Sequence, residues 1–390
     1  MTTIGIDIGT THTVLATNGR VIPLVPVEER VSYPGGDFPY LLPSVVSYPE
    51  DGSTLVGGSA RSRRAIDPMN TIRSAKRIVG ARWGSEEVKR FEEHYPHQLV
   101  RVGEDAVGFR TRHGIVEPAD VEALIVRAAC RLASLEPHDC DAVVTVPVAF
   151  DEAARAATAE GARRAGLREV TIVEEPVATA LAYVQRSSLR YAAVYDLGGG
   201  TFDVAIIECD RYPFTVVGHA GDAYLGGDDI DHLLADAVAS RYRDAFGWDL
   251  KARPEVFDRL VLECEVVKCA LTEMDYATIE LDQIDPMIPT RDRLVHIDQA
   301  RLLELAEPLI AKTLEVCDEA LAQAGVQTKD IQAVFTAGGG TRLLGLNERL
   351  RAYFGKRPRS DLDPMHVVGI GASYAAARPK AAAAVVQVPG

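Results

Sequence analysis

Two segments, nearly half the chain apart, share one pattern: an apolar run, an aspartate, a glycine-rich turn, a threonine and a second apolar run. The first is IGIDIGTTHTVLA, which contains Asp7, and the second is AAVYDLGGGTFDVAII, which contains Asp196. The apolar runs are rich in Ile and Val and predict strands, so each segment reads as strand, turn, strand. Two such turns that face each other could hold a polyphosphate from both sides.

The residue types in the turns suit phosphate binding. Gly9 and the run Gly198, Gly199, Gly200 let backbone N–H groups approach phosphate oxygens because no Cβ intrudes. Asp7 and Asp196, at the strand ends, can hold a hydrated cation beside those phosphates. A single Asp-x-Gly turn is common in any fold, and the second copy is what favours a nucleotide site.

Other phosphate motifs do not fit the sequence. The Gly355-Lys356 pair is followed by Arg357 rather than Ser or Thr, and no G-x-G-x-x-G opens a helix after the first strand. These departures exclude the P-loop and the dinucleotide-binding motif.

Composition limits the partners and the compartment. A chain of 390 residues is too long for one simple hydrophobic core. Its net charge of -14 argues against nucleic acid or an anionic membrane as the main partner. The six cysteines contain no C-x-x-C pair and predict reduced thiols. The N-terminus has no signal-peptide pattern, and no apolar stretch approaches the roughly 20 residues of a membrane span. We therefore expect a cytoplasmic protein.

The order of elements along the chain predicts α/β layers. Asp141 to Val146 reads as a buried strand, followed by an Ala-rich helix, a strand at Val170 to Val173 and a helix after Pro176. A long helical stretch from Gln299 to Ala324 contains a proline, Pro308, which should kink it or mark a new start. Four histidines are expected at the surface: His94, His97, His113 and His138.

Several segments in order resemble the ATPase domain of heat-shock-protein-70 (DnaK-type) chaperones, within the actin-like and sugar-kinase superfamily. They are IGIDIGTTHT, NTIRSAKRIVG, VVTVPVAF, VEEPVATALAY, YDLGGGTFDV, YLGGDDID and TAGGGTR followed by DPMHVVGIGA. The resemblance covers nearly the whole chain. It implies an α/β, actin-like ATPase fold of two lobes, each built on a ribonuclease-H-like βββαβα unit with inserted subdomains.

The resemblance also implies a domain organisation. Lobe I would span 1–185 with an insertion at about 36–113, and lobe II would span 186–364 with an insertion at about 227–298. A closing helix would occupy 365–378, and 379–390 would form a flexible tail.

Matched position by position, the resemblance implies an ATP or ADP site with Mg²⁺ and with K⁺ as a further candidate ion. Asp7 and Asp196 would hold Mg²⁺ through its waters. Lys76 would lie near the γ-phosphate, Thr201 would take part in catalysis, and Glu175 and Asp203 are both candidates for accepting the proton of the attacking water. The implied nucleotide contacts are Gly9, Thr10, Thr11, Gly198, Gly199, Gly200, Gly226, Gly227, Glu265, Lys268, Thr272, Gly338, Gly339, Gly340, Arg342 and Met365.

Two positions depart from the family pattern on the adenosine side. Cys269 stands where the family usually has an arginine over the adenine, and Met365 replaces an expected acidic residue. Loss of the arginine removes a stacking and cation–π contribution, whereas the methionine sulfur can still pack on a purine. We expect weaker ATP binding or relaxed base selectivity.

Pro147 and Arg155 match the pair that relays the nucleotide state in this family. Without such a relay, Pro147 would only end a strand and Arg155 would only solubilise a helix. The resemblance implies slow ATP hydrolysis coupled to lobe rotation and read by a protein partner: a peptide-binding domain, a co-chaperone or an exchange factor in trans.

The sequence stops after KAAAAVVQVPG, without a peptide-binding module, so we expect either a fragment or a stand-alone homologue. Two other functions stay open at this point. One is a nucleotide-gated scaffold or filament protein without significant turnover, and the other is a small-molecule kinase of the same superfamily.

Overall fold

The computed structural model describes residues 2–25, 39–184, 189–289 and 293–378. The predicted tail at 379–390 lies outside these ranges, as do residues 36–38 and 185 at predicted boundaries.

Within the described residues the strands are, in chain order, β1 (Thr2–Ile8), β2 (His12–Thr17), β3 (Arg20–Val21), β4 (Leu42–Pro43), β5 (Val45–Ser47), β6 (Leu55–Val56), β7 (Thr71–Arg73), β8 (Leu99–Val102), β9 (Ala106–Thr111), β10 (Gly114–Val116), β11 (Cys140–Val146), β12 (Glu169–Glu174), β13 (Tyr191–Leu197), β14 (Phe202–Glu208), β15 (Thr215–Asp222), β16 (Tyr276–Glu280), β17 (Leu294–Asp298) and β18 (Ala333–Ala337).

The helices are α1 (Gly58–Arg61), α2 (Glu86–His94), α3 (Pro118–Leu132), α4 (Glu152–Arg164), α5 (Glu175–Tyr183), α6 (Gly227–Phe246), α7 (Pro254–Ala270), α8 (Leu281–Ile284), α9 (Gln299–Ala324), α10 (Leu346–Phe354) and α11 (Val367–Ala376). Among the described residues, no helix combines the length and the apolar character needed to cross a bilayer.

Two sheets repeat one strand arrangement. The first has the order β12-β11-β1-β2-β3, with β4 also paired to β2, and the second has the order β15-β14-β13-β18. In both, the strand that ends in the predicted aspartate pairs antiparallel with the next strand and parallel with a later one. Arg359 forms a parallel bridge with Phe335 of β18, and it thereby occupies the position in the second sheet that β12 occupies beside β11 in the first. The two glycine-rich turns therefore occupy equivalent positions in a duplicated unit.

Each central strand is buried on both faces, which is why its sequence is a nearly continuous apolar run. Ile4, Ile6 and Ile8 of β1 belong to a first core together with residues of α3 and α4. Tyr195 of β13 belongs to a second core, which also holds residues of α6, α7 and α9. The Tyr195 hydroxyl donates to Thr313 Oγ1 on α9 at 2.7 Å, so its burial leaves no polar atom unpaired.

A third core joins the two sheets and contains residues of α5 and α11. Glycines allow the closest approaches in this layer. A Cβ on Gly371 would lie 1.7 Å from the carbonyl oxygen of Ala178, and one on Gly5 would lie 2.2 Å from the backbone nitrogen of Ser373. Helix α11 thus packs directly on α5 and β1 because these positions carry no side chain.

The remaining strands and helices extend the two units away from this layer. In the first unit, the small sheets β6-β5-β7 and β10-β9-β8 follow β4. In the second, α6, α7, α8 and the β16-β17 hairpin lie between β15 and α9. A 3₁₀ turn at Ala75–Ile78, which follows β7 after Ser74, carries Lys76.

One expectation about an individual residue needs correction. His97 is buried rather than exposed, its Nε2 accepts a hydrogen bond from the Arg73 backbone N–H at 3.5 Å, and its ring packs against Phe91 and Phe109. Burial lowers the pKa of His97 to about 3, so the ring is neutral. Of the two outcomes expected for Pro308, a new helix start is excluded, because α9 runs from Gln299 to Ala324 around it.

We expect Gly371→Ala to lower the free energy of unfolding by about 1–3 kcal/mol, because the new methyl group must push α11 away from α5. Urea unfolding followed by circular dichroism measures this. Gly369→Ala on the same helix is the matched control. Its nearest neighbour is the side chain of Val14, which can shift, so we expect a smaller loss. Equal losses in the two variants would contradict the close-packing argument.

Candidate functional site

The two glycine-rich turns close in the same way. The Gly9 N–H donates to the His12 carbonyl at 3.0 Å, and the Gly198 N–H donates to the Thr201 carbonyl at 2.9 Å. The turns also meet: a Cβ on Gly199 would lie 2.1 Å from Thr11 Oγ1. Glycine is therefore required here for the approach of the two units.

A cavity of about 630 Å³ opens between the two turns. The predicted site residues that line it are Asp7, Gly9, Thr10, Thr11, Lys76, Pro147, Glu175, Asp196, Gly198, Gly199, Thr201, Asp203, Gly338, Gly339 and Met365. They come from both units and from segments distant in sequence.

Lys76 and Glu175 form a buried ion pair at this cavity. Lys76 Nζ donates to Glu175 Oε1 at 2.6 Å, and their side chains are only 8% and 12% exposed. Glu175 is the first residue of α5 and precedes Pro176, which suits a helix start because its missing N–H would be unpaired there in any case. Burial alone would lower the pKa of Lys76, but the neighbouring carboxylates of Glu175 and Asp7 outweigh it and raise that pKa.

Three aspartates complete the charged floor of the cavity. Desolvation raises the pKa of Asp7 to about 6 and that of Asp203 to about 7, with Lys76 opposing and Glu175 adding to the shift. Desolvation, followed by the charges of Glu175, Asp203 and Asp7, raises the pKa of Asp196 well above its usual value. Asp7 is held by Thr145, whose hydroxyl donates to its Oδ1 at 3.0 Å.

This charge balance fits a bound cation. Four carboxyl groups share one lysine, so the site lacks positive charge. Protonation of a carboxyl group or a bound metal ion relieves such a deficit. Within the part of the chain that the structure describes, no group of three or more His, Cys, Asp or Glu side chains is arranged to hold an ion directly. Attachment through water, which Mg²⁺ favours, needs no such group.

Three predicted glycines lie outside the cavity lining and support the second turn. The Gly227 N–H donates to the Gly198 carbonyl at 3.1 Å, and a Cβ on Gly226 would lie 2.6 Å from the Gly199 carbonyl oxygen. The Gly200 carbonyl accepts a hydrogen bond from Arg77 Nη2 at 2.5 Å. The contacts with Gly226 and Gly227 fix the turn on the N-terminal end of α6, and the contact with Arg77 ties it to the first unit.

The predicted adenosine contacts on α7 and in the turn directly after it are paired with other protein groups. Glu265 Oε2 lies 2.8 Å from Arg61 Nη2, across the gap between the two units. Lys268 Nζ donates to Asp231 Oδ2 at 2.7 Å. The Thr272 hydroxyl donates to the Cys269 carbonyl at 2.7 Å. Their contact with a nucleotide stays a prediction.

The loop after β18 brings together the remaining residues that are predicted to contact the adenosine. Gly338 has a φ of +80°, which only glycine adopts easily, and a Cβ there would lie 2.3 Å from the Leu197 carbonyl oxygen. Gly340 approaches the Leu197 side chain in the same way. Met365 packs over Gly339, and Arg342 Nη2 pairs with Asp363 Oδ2 at 2.7 Å behind this loop.

Arg155 links the loop after β11 to the start of α5. Its Nε donates to the Phe150 carbonyl at 2.8 Å, and its Nη2 donates to Glu174 Oε1 at 2.8 Å. Glu174 immediately precedes Glu175, and Pro147 lines the cavity at the other end of the same loop. Arg155 of the predicted relay pair is therefore connected through Glu174 to the ion pair between Lys76 and Glu175.

Sequence reasoning missed three residues around this site. For Arg77, the position next to Lys76 in the segment NTIRSAKRIVG was the one available signal. Thr145 and Glu174 gave no signal, because nothing in the strand pattern shows that their side chains reach Asp7 and Arg155.

The two duplicated sheets, with paired glycine turns around a carboxylate-rich cavity, define an actin-like nucleotide-binding fold. The model of the family described as Hsp70 protein matches residues 3–387. The chain belongs to the Hsp70 family. Its predicted family and fold class are thus confirmed.

Curated relatives support the same assignment. The chain is 37% identical over 377 residues to the chaperone protein HscA of Klebsiella pneumoniae (strain 342), which covers 95% of this chain and 57% of that protein. It is 38% identical over 379 residues to an HscA homolog of Acidithiobacillus ferrooxidans, covering 96% and 58%. The chain thus spans less than two thirds of the length of these relatives.

The raised pKa of Asp203 gives a pH prediction for the nucleotide-free protein. Folded Asp203 keeps its proton between about pH 4 and pH 7, where the unfolded chain has lost it, so its contribution to the free energy of unfolding falls as pH rises through this window. Asp203→Asn removes this dependence. We expect the variant to gain stability relative to the wild type across the window, by up to about 1.4 kcal/mol per pH unit.

Urea unfolding at several pH values tests this expectation. Asp210→Asn, at an exposed position after β14, is the control and should follow the wild type. A constant difference between Asp203→Asn and the wild type at every pH would contradict the prediction.

Proposed function

We propose that this chain binds Mg·ATP in the cavity between its two units and hydrolyses it slowly to ADP and phosphate. Lobes at 1–185 and 186–364, with a closing helix at 365–378, would rotate with nucleotide state. The observation that carries the proposal is the buried Lys76–Glu175 pair, which faces both glycine turns across one cavity.

The turns supply the phosphate contacts. Backbone N–H groups of the turns at 9–11 and 198–201, with the hydroxyls of Thr10, Thr11 and Thr201, are the donors that phosphate oxygens require. Asp7 and Asp196 would hold Mg²⁺ through its waters, and the ion would offset phosphate charge. K⁺ is a further candidate for the same carboxylate-rich floor.

Lys76 and the carboxylates supply the rest of the reaction. Lys76, fixed by Glu175, would stabilise charge on the γ-phosphoryl group and orient a water whose oxygen bonds to phosphorus as the bond to the ADP oxygen breaks. The proton of that water passes to Asp203 or Glu175. The Asp203 pKa of about 7 in the nucleotide-free protein suits a group that exchanges protons near neutral pH.

The adenosine would lie beyond the phosphates, beside α7 and the 338–342 loop. Glu265, Lys268 and Thr272 are proposed base and ribose contacts, with Gly338, Gly339, Gly340, Arg342 and Met365 on the opposite side. Cys269 supplies no guanidinium plane there, which supports weaker or less base-selective binding than an arginine would give.

We expect Lys76→Ala to slow single-turnover hydrolysis of radiolabelled ATP by about 10²–10³-fold, the usual effect of removing one electrostatic stabiliser. ATP binding should persist, because the glycine turns remain. Lys329→Ala, at an exposed 3₁₀ turn, is the matched control and should hydrolyse at the wild-type rate. Binding without hydrolysis in all three proteins would favour a nucleotide-gated scaffold instead.

The Pro147–Arg155 segment is proposed to relay the nucleotide state. Arg155 ties the loop carbonyls of residues 148 and 150 to Glu174, beside the ion pair. A movement of Glu175 would therefore reach the loop, and through it a partner surface.

We expect Pro147→Ala to raise the single-turnover rate by about two- to fivefold. A proline stiffens the chain by about 0.4–1 kcal/mol. If the loop must rearrange during turnover, loss of this stiffness lowers the activation barrier by a similar amount, which gives this rate factor. Rapid-quench measurement with saturating ATP tests it, and Pro49→Ala, in a loop of the first unit, is the control. A rate equal to that of the wild type would favour a purely structural role for Pro147.

The proposed partner is a protein. The curated relatives carry the name chaperone protein HscA. By this likeness, we propose that a peptide-binding domain, a co-chaperone or an exchange factor reads the lobe rotation.

A further inference from the structure

An aromatic ring of the second unit is held between two arginines of the first. Tyr224 follows β15, and its ring centroid lies 4.5 Å from Arg77 Cζ and 4.2 Å from Arg90 Cζ. Arg77 belongs to the 3₁₀ turn after β7, and Arg90 belongs to α2. The Tyr224 hydroxyl also donates to the Glu87 carbonyl on α2 at 3.4 Å. We call these three stacked side chains, Arg77, Tyr224 and Arg90, the interlobe latch.

The latch is connected to the second glycine turn. Arg77 Nη2 donates to the Gly200 carbonyl, and a Cβ on Gly200 would lie 1.9 Å from that nitrogen. Arg77 is also the neighbour of Lys76 in sequence and lines the cavity. The stack on Tyr224 therefore fixes the Arg77 guanidinium, which contacts the Gly200 carbonyl in the turn proposed to bind phosphate.

The closed latch carries a built-in cost. The Nε and Nη1 atoms of Arg77 are buried, and neither has a hydrogen-bond partner among the described residues. Buried donors without partners disfavour the arrangement that buries them, and they regain hydrogen bonds to water when it opens. Two cation–π contacts and two hydrogen bonds, Tyr224 to Glu87 and Arg77 to Gly200, favour closure, whereas the unpaired Nε and Nη1 atoms of Arg77 favour opening.

The latch lies beside one end of the cavity. Here the lining consists of Arg82, Ser85 and Glu87 from the first unit and of Gly221, Asp222 and Ala223 from the second. Separation of Tyr224 from the two arginines would part these walls. It would also release the Gly200 carbonyl from Arg77.

We infer that the interlobe latch positions the second glycine turn and sets the rate at which the products, inorganic phosphate and ADP, leave the cavity. The inference rests on the proposed function, since the products are those of ATP hydrolysis. Tyr224 and Arg90 act through Arg77 and touch neither turn, so they are positioning residues.

The test separates product release from chemistry. In Tyr224→Ala, we expect release of a fluorescent ADP analogue and of inorganic phosphate, followed by stopped flow, to be about tenfold faster. This factor corresponds to about 1.4 kcal/mol, within the range for two cation–π contacts. Single-turnover hydrolysis should change less than twofold, because bound phosphate itself holds the second glycine turn in place during the reaction. Tyr224→Phe keeps the stack and should stay within twofold of the wild type in both rates.

Tyr276→Ala is the matched control, because this tyrosine is 63% exposed on β16 and should change neither rate. Release from Tyr224→Ala at the rate of this control would overturn the inference. A parallel change in hydrolysis and release would also overturn it, since it would indicate general damage to the site.

A second measurement does not depend on nucleotide. Hydrogen exchange of the backbone amides at 198–203 and 85–94 should be faster in Tyr224→Ala than in Tyr276→Ala in the absence of ligand, because the latch no longer holds these segments together. If no protein binds the ADP analogue, the proposed function fails, and equal exchange in the two variants would then reject the latch as a positioning device as well.

Discussion

The ion pair between Lys76 and Glu175 joins residues 99 positions apart and lies almost out of contact with solvent. A buried charge is tolerated only when it is paired, so the 3₁₀ turn that carries Lys76 must stay docked on the start of α5. This requirement positions the small β6-β5-β7 sheet, whose last strand leads into that turn. It also places the Lys76 ammonium group beside Asp7 and Asp203. Without this group, the charged neighbours of the two carboxyl groups would be negative.

The chemistry of the contacts between the two units differs from one part of the boundary to another. Around α5 and α11 the contact is an apolar core, closely packed because Gly5 and Gly371 admit neighbouring backbone. Around the cavity the contacts are polar or charged, such as Glu265 with Arg61 and Arg77 with the Gly200 carbonyl. Separating polar contacts exposes groups that water can solvate, whereas separating the apolar core exposes hydrocarbon. The apolar layer is therefore suited to act as the hinge, and the polar contacts are suited to open.

The site was predictable to the extent that its residues lie in recognisable local patterns. Asp7 and Asp196 stand at the ends of apolar strands next to glycine turns, and the structure brings both to one cavity. Lys76 and Glu175 came from motif resemblance rather than from residue chemistry, and the structure places them in contact. His97 was predicted at the surface because it lies in a loop. That prediction was wrong, because loop residues are exposed only on average. Its burial depends on Phe91 and Phe109, which the sequence does not place beside it.

By itself the sequence determined the duplicated strand-turn-strand units, the positions of the glycine turns and the membership of the Hsp70 family, because these depend on local periodicity and contiguous motifs. Only the tertiary structure decided which charges pair. Arg77 meets Gly200 and Tyr224, Arg155 meets Glu174, and Thr145 meets Asp7. Such contacts join distant segments whose side-chain directions follow from packing of the whole chain, and no local pattern encodes them.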